Sequence, residues 1–279
     1  MKEKWKQAYG SYSIPDDIYK LHDLENRLQN NKLSSAMICF RPIIFAYAYA
    51  ITPPDLIPFA DTGGDGIHFG FLTDFGRVKD LTQAPIVCVT PTNDPPIRYI
   101  ARNLKGFLNM AASVPDVEML ESFMFLDDAQ IQKECELVEK DTPRKLLKQR
   151  AKITKQLIET FQLETVSVHT CLSEARQERE GKIVISTTDG LGIVDDRENG
   201  KQFRSYEWDY ANPFSEQEKE RMQAFLQEAK LVEKLAFIRD ANMRYITAPG
   251  YDEVVWQLMI DTLKELGLED DAARLRIRE

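Results

Sequence analysis

Hydrophobic positions along the chain switch several times between helical and strand spacing. After Asp16-Asp17, either of which can cap a helix, Ile18, Leu21, Leu24 and Leu28 recur at three- and four-residue intervals until Asn30-Asn31 closes the run. The apolar segment 36–51 fits a buried strand or a helix equally, and Pro53-Pro54 ends it. Two short strands, 56–60 and 67–72, then flank Asp61-Thr62-Gly63-Gly64-Asp65-Gly66, whose three glycines permit the positive φ of a hairpin turn. A strand is expected at 86–90, a loop at Asn93-Asp94-Pro95-Pro96, and a helix over 99–112. The centre reads as two helices, one capped by Asp127 and one over 144–162 announced by Thr142-Pro143. A meander of strands at 182–188, 191–196 and 202–208 follows, turned by Asp189-Gly190 and Asn199-Gly200, with 165–169 as a fourth candidate. Ser215-x-x-Glu218 opens a long helix to about residue 240, and a last helix spans 252–266 with Gly267 just beyond it. The pattern is that of an α+β protein with mainly antiparallel meander sheets flanked by helices.

Composition narrows the class. At 279 residues the length suits about two domains, and 43% hydrophobic residues supply a core. The longest apolar run, Ile43 to Ile51, is far short of the roughly 20 residues a spanning helix needs. The charged start MKEKWKQAYGSYS lacks a signal peptide's apolar stretch, so a cytoplasmic location is expected. A net charge of −9 argues against a dedicated nucleic-acid binder and suits a basic partner. Cys39, Cys88, Cys135 and Cys171 show no C-x-x-C spacing, which excludes a zinc ribbon or a thioredoxin-like motif and fits reduced, structural cysteines.

Residues 53–72, PPDLIPFADTGGDGIHFGFL, resemble the central stretch of the SUKH superfamily, in which a strand like LIPFA, a Gly- and Asp-rich turn and a second strand follow one another. Pro85-Ile86-Val87-Cys88-Val89 resembles that family's next strand, and Ile100-Ala101-x-x-Leu104-x-x-Phe107-Leu108 its closing helix. The resemblance covers about residues 34–126, one third of the chain, and divides it into a SUKH-like α+β domain at 1–126 and an unassigned region at 127–279. It implies a non-catalytic binding module. Bacterial members are thought to be immunity proteins that neutralise toxins, commonly nucleases or deaminases, and fungal relatives act as interaction hubs. The family brings no catalytic residue set.

Candidate chemistry is sparse. Asp61 and Asp65 on the glycine-rich turn lack the D-x-D-x-D-G spacing of a calcium loop, so a plain turn or a partner contact is preferred to a metal. His22, His68 and His169 show no recognised triad, although Ser167 and Cys171 lie close to His169 in sequence. Helix 144–162 separates a basic face from an apolar one and is read as a solvated core helix, its charges met by the acidic helix before it. Arg150 falls inside the apolar arc and needs a carboxylate partner or must snorkel out. The reading adopted is a non-catalytic intracellular binding protein of the immunity type, with no catalytic residue, metal or cofactor. Asp61, Asp65, Asp74 and Asp94 would form an acidic surface that occludes a basic nuclease or deaminase. A regulatory scaffold is the alternative. A metal-dependent hydrolase comes last, because no nucleophile, ligand set or phosphate loop is recognisable.

Overall fold

The computed structural model describes residues 2–44, 49–195, 202–209, 211, 215–246 and 252–277. Helices α1 (Lys2–Tyr9) and α2 (Asp16–Asn30) lead into a 3-10 turn at Ser35–Ile38 and the short strand β1 (Arg41–Pro42). Helix α2 buries Ile18, Leu21, Leu24 and Leu28, the residues its periodicity selects, each contributing roughly 1.5–3 kcal/mol. Strands β2 (Leu56–Asp61), β3 (His68–Leu72), β4 (Ile86–Val89) and β5 (Ile97–Ala101) complete a five-stranded antiparallel meander, each strand paired with the next.

Both faces of this sheet are covered. Ile57, Phe59, Phe69, Phe71, Ile86 and Cys88 face a core built with the first helices, while Leu56, Leu72, Val87, Val89 and Ile97 face Leu191 and Met243. Double-sided burial explains why these strands read as continuous apolar runs rather than as an alternation with polar residues.

Helices α3 (Leu104–Ala111), α4 (Asp128–Asp141), α5 (Arg144–Phe161) and α6 (Val168–Glu180) follow. Asp127 caps α4 with a reciprocal box, accepting from the Gln130 amide while Gln130 Oε1 accepts from the Asp127 amide, both at 2.9 Å. The first core continues through Ile131, Ile153, Leu157 and Leu172, so residue 126 falls inside one packed cluster. A hairpin of β6 (Ile183–Ile185) and β7 (Ile193–Val194) then joins α7 (Glu216–Glu228), α8 (Leu231–Met243), α9 (Glu253–Glu265) and α10 (Glu269–Leu275) around a second core centred on Leu235, Ile238, Met259 and Leu263. The molecule is α+β. Among the described residues, no helix is long and apolar enough to cross a membrane.

Four local expectations give way to tertiary context. Residues 97–101 form β5 and not the start of a helix, because they complete the sheet beside β4; Asn103 then caps α3 through Gly106 N. Residues 165–169 contain no strand, since Ser167 caps α6 by accepting from Thr170 N. Residues 202–208 form no strand. Side chains hold them instead, with Arg204 N donating to Glu233 and Tyr206 Oη to Glu218 at 2.7 Å. The long helix breaks at extended Ala229, after which Lys230 N donates to Glu233 Oε2 and opens α8. The segment 45–48 and the Asn199-Gly200 turn lie outside the described residues.

Candidate functional site

In a meander, alternate connections share an end of the sheet. The β2–β3 turn (62–67) and the β4–β5 turn (90–96) lie at one end, the tip end. The start of β2, the β3–β4 connection (73–85) and the chain leaving β5 lie at the other, the far end.

At the tip end the glycines shape the turn. Thr62 N donates to Ile67 O and Ile67 N to Gly64 O, both at 3.1 Å, with φ of +93° at Gly63 and +68° at Gly66. A Cβ on Gly66 would lie 2.3 Å from the Tyr49 ring, so only glycine fits there. The reversal leaves Asp65 exposed, itself at φ +49°. Asp94 is exposed in the neighbouring turn, which Asn93 Nδ2 anchors to Glu121 at 3.1 Å. Glu121 ends a 3-10 turn, Val117–Glu121, that also carries Glu118. Burial first, then Asp116, Asp65 and Glu121 as negative neighbours, raise the Glu118 carboxyl against a lowering hydrogen bond with Cys39. Asp65, Glu118 and Glu121 therefore share one electrostatic neighbourhood, with Asp94 on the adjoining turn.

Three arginines of this end are paired, Arg98 and Arg150 largely buried and Arg41 half exposed. Arg41 pairs with Asp61 at 2.6 Å, Arg98 reaches Thr90 Oγ1 and Glu121, and Arg150 pairs with Asp116 at 2.9 Å while donating to Met37 O at 2.8 Å. Arg150 thus meets the carboxylate its place in the apolar arc of α5 requires. No ion pair joins α4 to α5 among the described residues, and the basic face of α5 is solvated without the acidic helix. Cys39, Asp116 and Glu118 bring a thiol and two carboxylate oxygens within 4.8 Å of one another. Burial, then Asp116 and Glu118, pushes that thiol up to about 12, so it is protonated near neutrality and a weak ligand.

Of the four sequence-selected aspartates, the structure leaves Asp65 and Asp94 exposed at the tip end and buries the other two. The Asp61 side chain is 7% exposed and held by Arg41. Asp74 lies at the far end, accepting two hydrogen bonds of 2.7 Å from Arg179. Their burial takes both out of the exposed acidic surface; half-buried Glu118, which the sequence reading passed over, stands closer to it, whereas Glu121 is 17% exposed and paired with Arg98.

The far end is knitted by buried charge. Arg239, wholly enclosed in α8, donates to Asp55 at 2.6 Å and to Asp189 at 3.2 Å, lies 3.5 Å from Asp74, and stacks over Phe75 at 4.9 Å. Phe75 N also donates to Asp55 Oδ2, and Arg274 Nε donates to Pro54 O at 2.7 Å. Burial, opposed by Arg239 and reinforced by Asp74, Asp271 and Asp189, pushes Asp55 up to about 7. Beside this network opens a cavity of about 790 Å³ between the β3–β4 connection, the end of β5 and the C-terminal turn of α6.

Each histidine has a structural place. His68 is buried between Thr52 Oγ1 at 3.1 Å and Gly66 O at 2.7 Å, and burial lowers it to about 4. His22 packs edge-on against Trp5, and His169 Nδ1 contacts Leu126 O at 2.9 Å. Ser167 bonds to Asp128 and Thr170 as a helix cap.

No family model matches this chain, and neither does any curated protein.

Proposed function

We propose that the chain is a non-catalytic binding protein that sets the acidic tip end of its sheet against a basic protein surface, in the manner of an immunity protein covering the substrate groove of a nuclease or deaminase toxin. The observation that carries this reading is the gathering of exposed Asp65 and Asp94 on two hairpin turns at one sheet end with half-buried Glu118 on the 3-10 turn beside them, while Glu121 is held behind by Arg98 and Asn93. Such an array presents negative charge on a rigid sheet end, where little conformational entropy is lost on docking. The order of elements supports the resemblance that suggested this class: α2, then β2 with its glycine-rich turn, β3, the proline-led β4 and the closing helix α3.

The test is paired capture at low salt from the source cells. The wild-type chain and an Asp65→Lys/Asp94→Lys variant serve as bait, and bound protein is eluted by rising salt. A basic protein retained by the wild type, released by salt and weakened at least tenfold by the double reversal is the expected result. Equal retention by both baits removes the tip end from the interface.

A further inference from the structure

The cavity at the far end inverts the charge of the molecule around it. It is lined by five cationic side chains against two carboxylates, Asp74 and Glu178, in a chain of net charge −9. Two of the cations are committed to the fold: Arg179 to Asp74 and to the Leu191 and Gly192 carbonyls, and Arg77 to Asp195 at 2.8 Å. The others, Lys79, Arg102 and Lys182, line the open space. Arg102 and Lys182 share Glu178 at 2.6 and 2.7 Å, and Arg102 also approaches Glu174 at 3.5 Å. Among the described residues, exposed Lys79 has no carboxylate within ion-pair distance and the Tyr99 hydroxyl makes no hydrogen bond. The Tyr99 ring lines the cavity with the Arg179 guanidinium 5.5 Å from its centroid.

From this arrangement we propose that the far-end cavity binds a phosphorylated small molecule with at least two negative charges, held by Lys79, Arg102, Lys182 and the Tyr99 hydroxyl. A guanidinium, two ammonium groups and a phenol offer charge-assisted donors from several directions, which suits tetrahedral phosphoryl oxygens better than one planar carboxylate. At about 790 Å³ the space exceeds a single phosphate and lies within the range of small-molecule sites. Its walls come from the β3–β4 connection and the end of β5, with Lys79, Tyr99 and Arg102, and from the end of α6, with Lys182 just beyond it. This site is separate from the tip end and stands whether or not the tip end docks a protein.

Inorganic pyrophosphate is the probe, titrated calorimetrically and followed by thermal unfolding, with sodium chloride at matched ionic strength as the screening control. Saturable heat is expected, with a rise in Tm of about 5 °C when pyrophosphate exceeds its Kd about a hundredfold, and a smaller change in chloride. Lys79→Ala/Lys182→Ala should weaken Kd at least tenfold while leaving the ligand-free Tm near that of the wild type, since both side chains are exposed. Tyr99→Phe, which keeps the ring under Arg179, should weaken it severalfold. No heat at millimolar pyrophosphate, a Tm rise equal to that in chloride, or an unchanged Kd in the double variant would overturn the proposal.

Discussion

At the tip end of the sheet, Asp65 and Asp94 stand in solvent on two turns. At the far end, Asp55, Asp74 and Asp189 are closed over by Arg239 and Arg179. The residue type is the same, and Asp65, Asp74 and Asp94 all sit just outside a strand. What separates them is the covering. Helices α6 and α8 bring guanidinium groups down on the far end, whereas among the described residues Asp65 and Asp94 at the tip have no ion-pair partner, the arginines there meeting Asp61 and Glu121. Buried carboxylates of this kind determine where the C-terminal region sits. Exposed ones are available to a partner because the fold does not depend on them.

The sharpest way to break this comparison is Arg239→Ala. The substitution leaves Asp55, Asp74 and Asp189 facing one another without their shared cation and removes the cover from Phe75. A loss of about 3–5 kcal/mol is expected in chemical denaturation, because a buried carboxylate stripped of its partner keeps its desolvation cost. A loss below about 1 kcal/mol would show that the far-end network is not what holds the two parts together.

How much of this was legible from residues alone follows the same division. Features settled within a few neighbours came through: the buried face of α2, the Asp127 cap of α4 and the glycine turn at 61–66. Features settled by distant chain did not. Asp74 looks like a loop aspartate until Arg179, 105 residues further along, closes on it, and Asp55 meets Arg239 across 184 residues. Residues 97–101 carry enough helical spacing to extend α3, and only the open edge of β4 makes them a strand. One signal was available. Phe237-Ile238-Arg239-Asp240-Ala241 places two charges inside a helix buried on every side, and such charges require partners from elsewhere in the fold.

The two ends also titrate in opposite senses. Asp55 at the far end has its pKa raised to about 7, so its neutral form is favoured in the folded state. That contribution to stability is complete below pH about 4 and is lost as pH rises through 7. His68, where β3 leaves the tip turn, is lowered to about 4. Its contribution is complete above pH about 6.5 and is lost as pH falls through 4. Between these limits the two slopes oppose each other. Relative to the wild type, Asp55→Asn should make stability climb more steeply from pH 4 to 6.5, and His68→Gln should make it decline from pH 4 to 7. Each difference should be on the order of 1–2 kcal/mol across its window in urea titrations. Matching signs for the two variants would refute the assignment of either group.

The smallest expected effect tests the other half of the comparison. If the tip-end carboxylates serve a partner and not the fold, Asp65→Lys and Asp94→Lys should each change the unfolding free energy by no more than about 0.5 kcal/mol. Asp65→Lys carries a small cost, because its backbone holds φ +49°, a region aspartate tolerates better than lysine. It also carries a gain, because a cation there relieves the repulsion that Asp65 exerts on Glu118. The two should nearly cancel. Asp61→Lys is the contrast within the same turn, since it sets a second cation against Arg41 in a buried position. Its loss should exceed that of either exposed reversal by more than about 1 kcal/mol. Comparable losses at positions 61, 65 and 94 would mean that the whole turn is structural, and the tip end would then have no surplus charge to offer a partner.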